Sequence, residues 1–262
     1  MIKRLRIMFQ GLCSILSFVI FGLGSCVLAF IVIPILWLAP VSATVKKTKA
    51  RKAIKISFWL FRWTLRLLGQ VRTKVIGLEN IPKDQGCVII ANHQTLFDVV
   101  LLMSYCPESI CIIKGSLMKL PTFRIPALFA GFVPNMESMK ILDQCMKELS
   151  EGRCIILFPE GTRAESHTLR RFKRGAANLA LRGRFPLVPV FMSYDGPTIY
   201  KGHRCYQSGD RICDVTLSFS EPLDTHRYCE SSKNYSIAAR KLTADLEQMY
   251  QDQLGWSREG EG

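Results

Sequence analysis

The sequence predicts an α/β fold: a mostly parallel central sheet flanked by helices, behind an N-terminal membrane-associated helical region. Three features of the 262-residue chain point there. From residue 72 onward, short apolar runs of strand length alternate with segments of helical character, the order that gives parallel strands covered by helices. Residues 7–45 contain no charge. A basic run comes directly after, Lys46, Lys47, Lys49, Arg51, Lys52 and Lys55, with no acid among it. These features set boundaries of 1–70 for the anchoring region, 71–255 for the α/β domain and 256–262 for a flexible tail.

The N-terminal region comes first. Lys3, Arg4 and Arg6 precede the uncharged run. As one helix, residues 7–45 would extend ~58 Å, about twice the hydrocarbon core of a bilayer. The run must therefore bend, tilt or end early, and Gly22, Gly24 and Pro34 are the places to bend. One spanning helix satisfies this, and so does a re-entrant hairpin with both ends on the same side. Val41-Ser42-Ala43 resembles a cleavage site, but the apolar region is far longer than that of a signal peptide. The denser basic cluster after the run favours the cytoplasm for the C-terminal side, and hence a cytoplasmic (inner) membrane with the site facing the cytoplasm. Residues 56–69 read as an interfacial helix, with Trp59 and Trp63 on one face and Arg62 and Arg66 on another.

Next come the alternating elements. Strands are expected at 71–77, 87–91, 110–114, 154–158, 187–194 and 214–219. Helices are expected at 96–105, at 138–150 with Gly152 ending it, at 175–182 and at 236–254. Ligands in such sheets bind beyond the carboxyl ends of the strands. Two polar stretches lie there, Asn92-His93-Gln94-Thr95-Leu96-Phe97-Asp98 and the segment after Phe158.

Composition narrows the partners. The net charge of +14 calls for an anionic one: a membrane surface, a nucleic acid or a phosphorylated substrate. Nucleic acid fits poorly, because the densest basic run flanks an apolar segment and no reading helix or RNA motif is present. The ten cysteines include no Cys-x-x-Cys pair. Cys13, Cys26, Cys87, Cys111 and Cys154 lie in apolar runs, as small buried hydrophobes in a reducing compartment do. His203, Cys205, Cys213, His226 and Cys229 match no zinc spacing, so no metal is expected.

The chemistry rests on the two polar stretches. His93 stands at a strand end with Asp98 five residues on. An imidazole there can take a proton from a hydroxyl while the carboxylate fixes its tautomer. By itself the pair reads more readily as a surface His–Asp contact. Phe158-Pro159-Glu160-Gly161-Thr162-Arg163 combines a glycine, which lets backbone approach a ligand, with a threonine and an arginine that grip phosphate. By itself it reads equally as a polar turn.

As an ordered pair, the two stretches resemble the glycerolipid acyltransferases of the lysophosphatidic acid acyltransferase (PlsC) family. Leu187-Val188-Pro189-Val190 resembles that family's later strand motif, and the likeness covers residues 72–222. The resemblance implies His93 as general base with Asp98 as its orienting partner. It implies Glu160, Gly161, Thr162, Arg163 and Lys114 as substrate-binding residues. The donor would be an acyl thioester, acyl-CoA or acyl carrier protein, as co-substrate without a further cofactor. The acceptor would be a lysolipid such as 1-acyl-sn-glycerol 3-phosphate, attacked directly with no acyl-enzyme, among membrane lipids. One block departs from the family: Gly131-Phe132-Val133-Pro134-Asn135-Met136-Glu137 lacks the arginine usual there. Arg163, Lys114 or Arg174 could compensate. Otherwise the acceptor is another lipid, such as a lyso-ornithine lipid or an aryl polyene glycolipid. A catalytically inactive lipid-binding protein is the alternative outside enzymes.

Overall fold

A single apolar helix opens the chain. The computed structural model describes residues 2–258 except 114, 135–138, 166, 208 and 231–233. Helix α1 (Ile2–Val27) passes through a π-helical turn (Leu28–Val32) into α2 (Ile33–Leu38). Lys3–Leu38 is thus a helix of 36 residues, long and apolar enough to cross a membrane. The irregularity falls beside Pro34, and Gly22 and Gly24 stay within regular helix. Proline has no N–H to give to the preceding turn, and the Ile33 N–H reaches back five residues to the Leu28 carbonyl.

The helix lies along the rest of the molecule and does not project from it. Near its start, Ser14 donates to the Cys205 carbonyl at 2.5 Å and Gln70 donates to the Gln10 side chain at 2.5 Å. Farther on, Ala29 and Ile33 are buried, while Phe9, Leu12, Leu16, Leu23, Phe30 and Trp37 are exposed on the other side.

After a short turn, helix α3 (Ala43–Leu67) returns, capped by Ser42, which accepts from the Val45 N–H at 3.4 Å. The basic run and the tryptophan segment therefore share one helix, where the sequence suggested a helix only over 56–69. Ala50, Ile54, Phe61 and Leu65 recur at helical spacing and face inward. Trp59 and Trp63 stay exposed with ring centroids 6.1 Å apart. Arg62 departs from the interfacial expectation: its guanidinium stacks over Tyr105 at 4.3 Å and donates to that hydroxyl at 2.7 Å. Arg51 also turns inward. It donates to the Ala130 carbonyl at 2.7 Å and pairs with Glu148 at 3.0 Å and Glu108 at 2.9 Å.

The remaining elements are β1 (Val71–Ile76), β2 (Val88–Ala91), α4 (Asp98–Tyr105), β3 (Ser109–Ile113), α5 (Pro121–Ala130), β4 (Val133–Pro134), α6 (Met139–Ser150), β5 (Cys154–Leu157), β6 (Thr168–Leu169), α7 (Gly175–Gly183), β7 (Leu187–Asp195), β8 (Cys213–Phe219), α8 (His226–Glu230), α9 (Tyr235–Leu254) and β9 (Ser257–Arg258). Seven strands form the main sheet in the order β1-β8-β7-β2-β5-β3-β4. All neighbours pair in parallel except β7 with β8. Strands β2 and β5 are buried at every position, as central parallel strands covered on both faces must be. Strand β8 alternates buried and half-buried, as one-sided cover requires.

The carboxyl ends of β7, β2 and β5 lie side by side, because these neighbours are parallel. The chain's end is also ordered as far as it is described, contrary to the expected flexible tail from 256. Trp256 is 9% exposed within the core, and β9 pairs with β6.

Candidate active site

Strand β2 is followed by Asn92, whose buried side chain continues the ladder. Its amide donates to the Met192 carbonyl at 2.9 Å and accepts from the Met192 N–H at 2.8 Å. That pairing fixes where His93 leaves the sheet. The His93 Nδ1 stands 2.9 Å from Oδ2 of Asp98, which opens α4 and is fully buried. The same oxygen accepts the backbone N–H groups of Gln94 at 2.8 Å and Thr95 at 2.9 Å. Oδ1 accepts the hydroxyls of Thr95 and, at 2.9 Å, Tyr194. Five groups thus converge on one carboxyl group. Because Oδ2 only accepts, Nδ1 carries the proton and the Nε2 lone pair is left for chemistry. The His93 side chain is 17% exposed and its ring lies 4.5 Å from that of Phe158.

The second motif leaves the adjacent strand β5. Gly161 turns the chain at φ +72°, donating its N–H to the Phe158 carbonyl at 3.0 Å. A Cβ on Gly161 would lie 2.9 Å from Cε of Lys173, so its absence lets the lysine lie across the turn.

Glu160 takes a place different from the substrate contact that was expected of it. It is 3% exposed and does not line the cavity. Oε1 accepts the His93 backbone N–H at 2.6 Å and Oε2 accepts the Arg170 N–H at 3.0 Å. Burial pushes its carboxyl up to about 8, against the pull of those two N–H groups. Glu160 therefore ties the two motifs together. Lys114 lies outside the described residues, as do 135–137 in the block that lacks its arginine.

A cavity of about 980 Å³ opens at His93 and runs between the N-terminal helices and the α/β domain. Phe18, Phe21, Leu28, Phe61 and Met103 are among its apolar walls. Thr162, Arg163 and Lys173 stand with His93 among its polar groups. Neither Arg163 nor Lys173 forms an ion pair among the described residues, so both charges are available to a ligand. No group of three or more His, Cys, Asp or Glu side chains is placed to hold a metal among the described residues.

Residues 72–193 match the Acyltransferase family model. The chain is similar to members of that family over these residues. It is 31% identical over 137 residues to a chloroplastic 1-acyl-sn-glycerol-3-phosphate acyltransferase of Brassica napus, covering 50% of this chain and 40% of that protein. It is 31% identical over 146 residues to a 1-acyl-sn-glycerol-3-phosphate acyltransferase of Borreliella burgdorferi, covering 53% and 55%. The chain thus spans about half the length of these curated relatives. Its fold is that of the crystal structure of the 1-acyl-sn-glycerophosphate acyltransferase PlsC from Thermotoga maritima, with TM-score 0.69 at 23% identity over 97% of this chain and 96% of that one.

Three groups around the site carried no signal in sequence. Tyr194 lies about a hundred residues from Asp98. Lys173 was one of four basic residues after the second motif, and only its position across Gly161 distinguishes it. Helix α5, which was not anticipated, packs against the π turn and α3.

Proposed function

We propose that the protein is a membrane-bound O-acyltransferase that moves a fatty acyl group from acyl-CoA or acyl carrier protein to a hydroxyl of a lysophospholipid such as 1-acyl-sn-glycerol 3-phosphate. The observation that carries this reading is the open Nε2 side of His93 in the wall of an apolar cavity that Arg163 and Lys173 also line. Nε2 takes the acceptor's hydroxyl proton as the oxygen attacks the thioester carbonyl. The tetrahedral intermediate collapses, the C–S bond breaks and the imidazolium returns the proton to the leaving thiolate. Asp98 holds the ring and balances the imidazolium. No covalent acyl-enzyme is needed. Cys111 in the cavity wall is a poor nucleophile, because burial pushes its thiol up to about 12.

The cavity's size is at the upper end of the range of ligand pockets, ~300–1,000 Å³, and its apolar walls suit an acyl chain. Arg163 and Lys173 suit a phosphate on the acceptor and take over from the arginine missing after Gly131. The N-terminal helices suit a monotopic placement. Their inner face meets the domain at Cys13, Ala29 and Ile33 and walls the cavity between, and the outer face offers Phe9, Leu16, Leu23, Phe30, Trp37 and Trp59 to a single leaflet. The site then faces the compartment that holds acyl thioesters, the cytoplasm.

The test is acyl transfer by purified protein in mixed micelles, with labelled acyl-CoA and acyl carrier protein each offered with lysophosphatidate, a lyso-ornithine lipid and monoacylglycerol. Product from lysophosphatidate in excess of the other acceptors is expected. No product from any pair would favour an inactive lipid-binding protein instead.

A further inference from the structure

A second layer stands behind Asp98. Tyr194, near the carboxyl end of β7, donates its hydroxyl to Oδ1 of Asp98 at 2.9 Å. Burial, beside the Asp98 carboxylate, holds that hydroxyl well above its usual range, so it remains a donor. Tyr194 is 7% exposed and is not part of the cavity wall, so it acts on the site only through Asp98.

What holds Tyr194 comes from the far end of the chain. Helix α9 ends at Gly255 with φ +64°, which turns the chain inward. Trp256 then stacks on the Tyr194 ring, with centroids 6.3 Å apart and planes at 21°. Ser257 and Arg258 pair with Thr168 and Leu169. Arg258 donates to Glu247 at 2.8 Å, and Glu247 in turn accepts the Phe172 N–H at 3.2 Å. The segment between these contacts also grips the site. Ala164 donates its N–H to the His93 carbonyl at 2.8 Å, and the Gln94 amide donates to the carbonyls of Glu165 at 3.1 Å and Thr168 at 2.9 Å. Tyr200, which packs edge-on to Tyr194 at 6.2 Å, bridges to Thr95, the other donor to Oδ1.

We propose that Tyr194 is a positioning residue for the His93–Asp98 pair and that the C-terminal segment Trp256–Arg258 is the strap that holds it in place. What Tyr194 secures is the plane of the carboxyl group. Three donors hold Oδ2, but the group is fixed against rotation only if Oδ1 is held as well, and Tyr194 is one of its two donors. Loosening the plane loosens the Nδ1 contact and the aim of Nε2. Misplacement on that scale costs rate, not affinity. This inference rests on His93 being the base.

The test is steady-state acyl transfer by Tyr194→Phe, which removes one oxygen and keeps the ring. The expected result is a kcat lower by about 10- to 50-fold, with KM for donor and acceptor within about twofold of wild type. The thermal midpoint should stay within about 2 °C, since Phe keeps the packing. Trp256→Ala should reproduce the loss in kcat, and Trp256→Phe, which keeps a stacking ring, should restore most of it. Because Trp256 acts through Tyr194, the double variant Tyr194→Phe/Trp256→Ala should be no slower than Trp256→Ala alone. Wild-type kcat in Tyr194→Phe would overturn the inference, as would a double variant whose loss is the product of the single ones. Should Trp256→Ala fail to fold, Tyr194→Phe and Trp256→Phe still decide it. A wild-type protein without turnover would overturn the acyltransferase reading and this inference with it, whereas active wild type and equally active Tyr194→Phe would sink only this inference.

Discussion

Oε1 of Glu160 accepts the backbone N–H of His93 at 2.6 Å. One carboxyl group thus joins the ends of two neighbouring strands, and the position of His93 depends on a residue that does not line the cavity. Glu160→Gln keeps an acceptor at one end but presents a donor to a donor at the other. One buried N–H is left unpaired, at a cost of about 1–3 kcal/mol. Chemical denaturation in detergent should show that loss, together with a fall in kcat.

Glu160 also gives stability a pH dependence. Its folded carboxyl is raised to about 8. Between its ordinary value and that point the unfolded chain releases the proton while the folded one keeps it, so the folded state binds more protons. Its contribution is therefore full at low pH and is lost as pH rises through about 8. Thermal midpoints of wild type should fall across this window more steeply than those of Glu160→Gln, and parallel curves would contradict the assignment.

Asp98→Asn should fold, since the hydroxyls of Thr95 and Tyr194 can turn to accept from the new amide. The charge that balances the imidazolium is gone, and kcat should drop by about 10²- to 10⁴-fold. Stopped acyl transfer with an unchanged melting curve is the expected pair of readings.

Lys173 and Gly161 should behave as one unit. Lys173→Ala should raise KM for lysophosphatidate by about tenfold, the value of one exposed charge-assisted contact, and leave KM for monoacylglycerol unchanged. Gly161→Ala forces a side chain into φ +72° and against Cε of Lys173. It should show the same acceptor-selective KM effect plus a stability loss of about 1–2 kcal/mol. Equal effects on both acceptors would remove Lys173 from phosphate recognition.

Arg51→Ala should free the N-terminal helices from the domain. Arg51 is 4% exposed and Glu148 is 5% exposed, so the variant leaves a buried carboxylate with less than its full complement of partners. Breaking such a pair costs about 3–5 kcal/mol. Limited proteolysis between residues 39 and 71 should become faster than in wild type.

The parts of this molecule that were legible in sequence are those with local period or local chemistry. Strands β2 and β5 announce themselves because central parallel strands are apolar at every position. His93 and Asp98 announce themselves because they are close in sequence. Pairings across long separations left no trace. Arg51 looked like one more solvated cation, and Glu108, Ala130 and Glu148, 57 to 97 residues away, turn it inward. Glu160 looked like a ligand because its motif is polar, but the N–H groups that claim it belong to His93 and Arg170. Trp256 stood in a short, polar, glycine-rich stretch that reads as a tail, and what orders it is the face of Tyr194.

The most direct measurement is the rate of acyl transfer from labelled acyl-CoA or acyl carrier protein to lysophosphatidate by His93→Ala beside wild type, at matched folded protein and matched micelle composition. A base that removes the acceptor's proton makes the expected result a fall of about 10²- to 10⁴-fold in kcat, with melting behaviour and micelle binding unchanged. Near-normal turnover by His93→Ala would contradict the assignment of His93 as the base.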